Sequence, residues 1–336
     1  MSKILIVDNQ KAIAALLKIQ LKDCDVIEAN NGGEALKKVH EEKPDLILLD
    51  SIMPGIDGYS VLSIIKNAEE TKSTPVIIVT DRVGDEDRIK FLEKGADDYI
   101  VKPYNTPVLV TRIRNLLRSR SVMQNQLNSV QDMVISLTTA LEAKDQYSVR
   151  HSNRTAFYAE KLAQRFYLVK TLRNHIRMAG LLHDIGKIGI KDSILLKPGK
   201  LDEGEFEIVK SHPEAGEKIC SFITSLKPIL PFIRHHHERF DGTGYPDGLK
   251  GADIPLGARI LAIADSFDAL TSDRPYRKSF NQDQAIDILR EGTGTQWDDQ
   301  LVSRFCEMLL TDPSVATQES MWYFEEHNML NPSFKV

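Results

Sequence analysis

The stretch Asp45-Leu46-Ile47-Leu48-Leu49-Asp50 is apolar from end to end between two acids. A strand with one wet face alternates apolar and polar residues; a strand buried on both faces does not. This run therefore reads as a central strand of a parallel sheet. Four more short apolar runs lie at 3–7, 25–28, 75–79 and 97–101, with helical patterns between them at, for example, 12–21 and 33–40. Another helical pattern follows Thr106. Five strands alternating with five helices predict an α/β fold over 1–119, a doubly wound five-stranded parallel sheet.

In such sheets ligands bind beyond the carboxyl ends of the strands. Asp8, Asp50, Thr80 and Lys102 stand at four of those ends, so the fold brings them together. Carboxylates beside a lysine and a hydroxyl suit a divalent cation and a transferred phosphoryl group. Asp50 is the expected nucleophile. Lys102 then neutralises one phosphoryl oxygen and Thr80 hydrogen-bonds another. Each of these residues taken singly reads equally well as a solvated loop residue; four at four strand ends do not.

Val7-Asp8, Leu49-Asp50-Ser51-Ile52-Met53-Pro54-Gly55, Val79-Thr80 and Tyr99-Ile100-Val101-Lys102-Pro103 resemble the response-regulator receiver domain. The resemblance implies phosphorylation of Asp50 by a histidine kinase or phosphotransfer protein, a bound Mg²⁺, and Tyr99 as an aromatic switch. Asn9 stands where the family usually carries a second acid. The lost charge weakens the expected Mg²⁺ site, since Mg²⁺ prefers carboxylate oxygen.

The chain has 336 residues, enough for two domains. Its net charge of −5 offers no sign of a nucleic-acid or anionic membrane partner. Cys24, Cys220 and Cys306 are scattered and odd in number, which fits a reducing compartment. The N-terminus shows no signal-peptide pattern, and no apolar run reaches the ~20 residues that span a bilayer. A cytoplasmic location is expected, with no direct nucleic-acid binding and no membrane association.

From 106 to 145 there is no glycine, and no proline after Pro107. Leu116, Met123, Leu127, Val130, Val134, Leu137 and Leu141 recur at spacings of 3 and 4, interrupted by the polar Arg120. This predicts one long helix. Its seam fits a parallel coiled-coil homodimer over the linker 120–141, or a single amphipathic helix lying on the second domain.

Beyond about 142 the alternation stops and helical patterns take over. Seven of the nine histidines fall between His151 and His237, and imidazole is the commonest side-chain ligand for catalytic transition metals. The run 174–185 predicts a helix ending at Gly186, with His183 and Asp184 near its end. Neighbouring side chains on a helix diverge by about 100°. Both reach one site if Asp184 bridges two metals through its two oxygens, an arrangement suited to phosphoester cleavage. His212, the triplet His235-His236-His237, and Asp265 on an otherwise apolar helical face are the remaining candidates. A lone buried carboxylate is expensive, so Asp265 needs a partner or a metal. Which of the triplet face the site is left open; His175 reads as a helix-surface residue. No zinc-finger or HExxH spacing is present, and His with carboxylate without Cys favours Fe, Mn or a similar ion.

His183-Asp184-Ile185-Gly186-Lys187, Leu196-Lys197-Pro198-Gly199-Lys200-Leu201, His236-His237-Glu238, Asp241-Gly242-Thr243-Gly244-Tyr245-Pro246 and the segment from Ala264 to Arg277 closely resemble the HD-GYP domain, over about 142–310. The resemblance implies an all-α HD-superfamily fold that cleaves cyclic di-GMP to pGpG and on to GMP with a two-metal-activated hydroxide. Matched residue by residue, it implies the ligands His151, His183, Asp184, His212, His236, His237 and Asp265, and leaves His235 outside the set. Asp184 and Lys187 become catalytic. Lys187, Asp268, Arg274 and Arg277 match positions that hold substrate or the attacking hydroxide, and Gly244 and Tyr245 border the substrate. Tyr147 replaces the glutamate with which some members bind a third metal, so two metals are expected. Rival expectations are a module that binds cyclic di-GMP without turnover and an HD hydrolase for another nucleotide. The segment 311–336, with Met321-Trp322-Tyr323-Phe324, matches neither family pattern.

Overall fold

The computed structural model describes residues 1–8, 11–81, 84–144, 148–273, 278–312 and 315. Two compact units are present, Met1–Asn128 and Ser129–Val336. In the first, β1 (Ser2–Val7), α1 (Lys11–Gln20), β2 (Cys24–Ala29), α2 (Gly32–Glu42), β3 (Leu46–Asp50), α3 (Gly58–Asn67), β4 (Val76–Thr80), α4 (Asp85–Glu93), β5 (Asp98–Val101) and α5 (Thr106–Lys144) alternate strictly. The strands form one parallel sheet in the order β2-β1-β3-β4-β5. β3 and β4 are buried at every position.

Successive side chains of a strand face opposite sides, and each side of this sheet has its own core. Leu5, Val7, Ile47, Leu49 and Ile78 pack with Val39, Val61, Leu62 and Phe91. Ile4, Ile6, Leu46, Leu48, Ile77 and Val79 pack with Leu17 of α1 and Leu109 and Ile113 of α5. The doubly wound sheet expected from the apolar runs is the one observed.

The seam of α5 does not run as one exposed stripe. Leu116 packs on the first unit's core. Val134 and Leu141 are buried in the core of the second unit, and Val130 and Leu137 pack against it. Met123 is exposed, and the side chain of Leu127 lies outside the described ones. Of the two expectations, the amphipathic helix lying on the second domain describes the stretch from Val130 to Leu141. The same 3–4 spacing serves a helix that buries its stripe on its own chain, and here it does so.

The second unit is helical: α6 (Ser148–Arg165), α7 (Lys170–Leu182), α8 (Asp192–Leu195), α9 (Glu203–Lys210), α10 (His212–Ser221), α11 (Leu230–Arg234), α12 (Leu256–Thr271), α13 (Gln282–Glu291) and α14 (Asp299–Thr311). Tyr158, Phe267 and Phe305 meet edge to face at its centre, with centroids 5.1 to 6.3 Å apart. No described helix is long and apolar enough to cross a membrane.

The helix expected over 174–185 stops at Leu182, and a 3-10 turn follows over Ile185–Gly189. Gly186 explains the tight path. A Cβ there would stand 1.9 Å from the His212 carbonyl oxygen and 2.6 Å from the Gly216 nitrogen. The absence of a side chain lets the turn lie directly on α10, bringing Asp184 to His212.

Candidate metal centre and phosphoacceptor site

Six elements carry the predicted ligands inward. His151 comes from α6, His183 caps α7, and Asp184 starts the 3-10 turn. His212 opens α10, His236 and His237 follow α11, and Asp265 lies in α12. Their donor atoms fall into two groups, Asp184 with His212, His236 and His237, and His151 with His183 and Asp265. Within each group the atoms lie within 4.8 Å of one another. Asp184 faces both. Its Oδ1 is 3.2 Å from His212 Nε2, and its Oδ2 is 3.4 Å from His183 Nε2 and 3.7 Å from His151 Nε2. His151 Nε2 is also 3.1 Å from Asp265 Oδ1.

One local device orients three of the rings. Nδ1 of His183, His212 and His236 donates to the carbonyl three residues earlier, Gly180, Val209 and Ile233, at 2.8, 2.7 and 2.6 Å. A carbonyl only accepts, so the hydrogen-bond network assigns the proton to Nδ1 and leaves a lone pair on each Nε2. His183 Nε2 is buried and has no hydrogen-bond partner. His212 Nε2 and His236 Nε2 stand 3.3 Å apart, and a lone pair on each cannot bond the other. Burial drives His183 and His236 below the ordinary imidazole range and His237 down to about 3. Burial alone would raise Asp184, but Lys187 and the histidines outweigh it and keep the carboxylate ionised. Neutral His183, His236 and His237 beside the ionised Asp184 are in the protonation state that a metal ion requires, whereas at His151 burial is outweighed by Asp265 and Asp268, which raise it to about 10. The residues fit a pair of divalent cations.

Behind these groups lies a layer in which Arg154 and Glu238 had no role assigned from the sequence. Asp268, matched to a substrate-facing position, is buried and accepts His151 Nδ1 at 2.7 Å. Arg154 clamps the same carboxylate through Nε and Nη2, the latter at 2.9 Å, and reaches Ser272 Oγ at 2.8 Å. Arg154 follows His151 by three residues on α6. That spacing was the available signal. Glu238 is also buried, and accepts the backbone N–H groups of Asp247 and Leu249 at 2.7 and 3.1 Å.

Glu238 thereby pins the segment that carries Gly244 and Tyr245. A Cβ on Gly244 would fall 2.2 Å from the Arg239 nitrogen. The Tyr245 ring lies 4.9 Å from that of His237, tilted by 31°. His235 turns away, to Asp247 at 2.8 Å and the Pro231 carbonyl at 2.9 Å. Asp247 is in turn held by both arms of Arg234, each at 2.7 Å. Lys187 reaches Asp184 Oδ2 at 2.6 Å.

In the first unit the strand ends converge as well. The Lys102 ammonium is 2.7 Å from Asp50 Oδ2 and 3.0 Å from Asp8 Oδ2. Burial disfavours its charge, yet the pairings with Asp50 and Asp8 prevail and raise its pKa. Thr80 is buried and receives the Ser51 hydroxyl. Tyr99 is buried, its ring 6.1 Å from Phe91. Asn9, Tyr147, Arg274, Arg277 and the segment 321–324 lie outside the described residues.

Two family models match the chain: the response regulator receiver domain over 4–114 and the HD domain over 136–301. A probable cyclic di-GMP phosphodiesterase of Vibrio cholerae is 36% identical, covering 90% of this chain and 76% of that protein. The cyclic di-GMP phosphodiesterase response regulator RpfG of Xanthomonas campestris is 36% identical, covering 89% and 85%. A 3'3'-cGAMP-specific phosphodiesterase 3 of Vibrio cholerae is 36% identical over 62% of this chain and 45% of that protein.

Proposed function

The chain belongs to the family of response regulators in which a receiver domain is followed by an HD domain, and we propose that it is a metal-dependent phosphodiesterase of the HD-GYP type that hydrolyses cyclic di-GMP under receiver control. The observation that carries the reading is Asp184, whose two oxygens face two separate histidine groups. The names of the two long matches supply the substrate.

His151, His183, Asp265 and one oxygen of Asp184 would hold one ion; His212, His236, His237 and the other oxygen would hold the second. Two such ions, when bound, supply an activated water and neutralise charge building on phosphorus. A nitrogen and carboxylate donor set without thiolate suits Fe or Mn. Lys187 holds a phosphoryl oxygen of the substrate. Asp268 acts through His151 by fixing its ring and tautomer, and Arg154 fixes Asp268. In the receiver, Asp50 takes a phosphoryl group from a histidine kinase or phosphotransfer protein, and Lys102 neutralises it. The working division is a receiver over 1–119, a helical segment over 120–141 and the catalytic domain over 142–310.

The test is turnover by the purified chain loaded anaerobically with Fe²⁺ or Mn²⁺. Conversion of cyclic di-GMP to pGpG is expected. Tight binding without product would overturn catalysis and leave a binding module. A second reading has a specific support in the 3'3'-cGAMP-specific relative. Faster turnover of that hybrid dinucleotide than of cyclic di-GMP would move the substrate there.

A further inference from the structure

Phe206 and Lys210 lie four residues apart on α9, so they share one face of the helix. Two residues beyond Lys210 the chain delivers His212 to the metal centre. The Lys210 ammonium stands over the Phe206 ring at 4.9 Å and over the Tyr245 ring at 5.9 Å. Tyr245 in turn lies against His237. The ligand His237, two aromatic rings and a cation thus form one connected surface running outward from the ligands. Phe206 is 45% exposed and Tyr245 is half-buried, so both rings that the ammonium covers reach solvent. The ion pair of Lys210 with Glu207, at 2.6 Å, is a surface pair and worth little. Nothing strong therefore holds the ammonium in place, and its flexible stem can swing aside as a ring system enters.

We propose that Phe206, Lys210 and Tyr245 form the base subsite of this centre and that Lys210 selects guanine over adenine. The inference rests on the cyclic dinucleotide reading above and deepens it. Aromatic faces accept any base, because every base has a π-face. Selection has to come from the edge. Guanine presents two adjacent acceptors, O6 and N7, whereas adenine presents N7 beside a donating amino group. A lysine ammonium only donates. It satisfies both guanine acceptors and meets the adenine amino group unfavourably.

The experiment is steady-state kinetics of the full chain loaded with Mn²⁺ on cyclic di-GMP, cyclic di-AMP and bis(p-nitrophenyl) phosphate. The last has no base, so its rate and the bound metal are the reference for the centre itself. Wild-type protein should prefer cyclic di-GMP. Relative to that reference, Lys210→Met should raise KM for cyclic di-GMP about tenfold and leave cyclic di-AMP within about twofold. Lys210→Arg, which keeps the donors, should keep the preference. Phe206→Ala should raise KM for both dinucleotides by about tenfold. Equal wild-type turnover of the two dinucleotides, or an unchanged ratio in Lys210→Met, overturns the subsite. Wild-type protein that cleaves the aryl ester but no cyclic dinucleotide would overturn the cyclic dinucleotide reading instead.

Discussion

Asp184 meets His212 through Oδ1, 3.2 Å from the imidazole Nε2, while its Oδ2 turns to His183 and His151. One carboxylate is therefore shared by two sets of nitrogen donors. Asp184→Ala should lose both ions together rather than one, and activity should fall by about 10³-fold or more. Asp184→Asn, which keeps the shape but removes the negative charge and one of the two oxygens, should bind metal weakly. Metal content by elemental analysis decides the matter. Retention of one full equivalent by Asp184→Ala would mean that the two groups are independent.

His151 is held from behind by Asp268, and Asp268 by Arg154. Partners that orient a ligating histidine typically control metal affinity by about 10–100-fold. Arg154→Met and Asp268→Asn should weaken metal binding by that factor while Lys187 and the other histidines stay in place. A metal titration followed by activity at saturating metal separates this from direct catalysis. Activity should return at high metal. Failure to return would assign Asp268 to the substrate.

The strands were legible within about a residue because a parallel strand buried on both faces leaves an uninterrupted apolar run, as at 46–49. The candidate donor cluster was legible because histidines crowded into one stretch, with carboxylates among them, make a donor set that suits a metal ion far better than a packed core, while the choice among His235, His236 and His237 came from the family resemblance. Arg154 and Glu238 were not. Each is an ordinary charged residue until folding brings a buried carboxylate or two bare N–H groups against it. Asp268 could be matched by pattern, but its burial behind His151 depends on how α12 packs on α6. The seam of α5 was ambiguous for a plainer reason. Spacings of 3 and 4 describe both a coiled coil and a helix on its own core, and the difference lies in what covers Val134 and Leu141.

Gly186 sits where a side chain would collide with the His212 backbone. Gly186→Ala should destabilise the second unit by about 1–3 kcal/mol, the usual cost of overpacking. It should also part Asp184 from His212 and weaken metal binding. Denaturant unfolding with and without Mn²⁺ tests both effects. The added metal should stabilise wild-type protein by more than the variant. An equal gain would show that the turn absorbs the methyl group without moving Asp184.

Lys144 lies at the last turn of α5, the helix that begins after β5 of the receiver. Its ammonium donates to the carbonyl oxygens of Ile188, at 2.7 Å, and Ile190, and lies 3.5 Å from Asp192. These carbonyls follow Lys187 by one and three residues, so the end of the helix grips the turn that carries Lys187. A shift of α5 along or about its axis would pull on that turn directly. Lys144→Met keeps an apolar stem of similar length and removes the grip. It should keep basal turnover within about twofold, since the partners of Lys144 are the Ile188 and Ile190 carbonyls and Asp192 and none of the candidate metal ligands. The proposed receiver control requires a phosphoryl mimic at Asp50 to change the wild-type rate, and Lys144→Met should lose most of that change. The comparison is the ratio of turnover with and without beryllofluoride in the two proteins. An unchanged ratio in Lys144→Met would place the transmission elsewhere along α5.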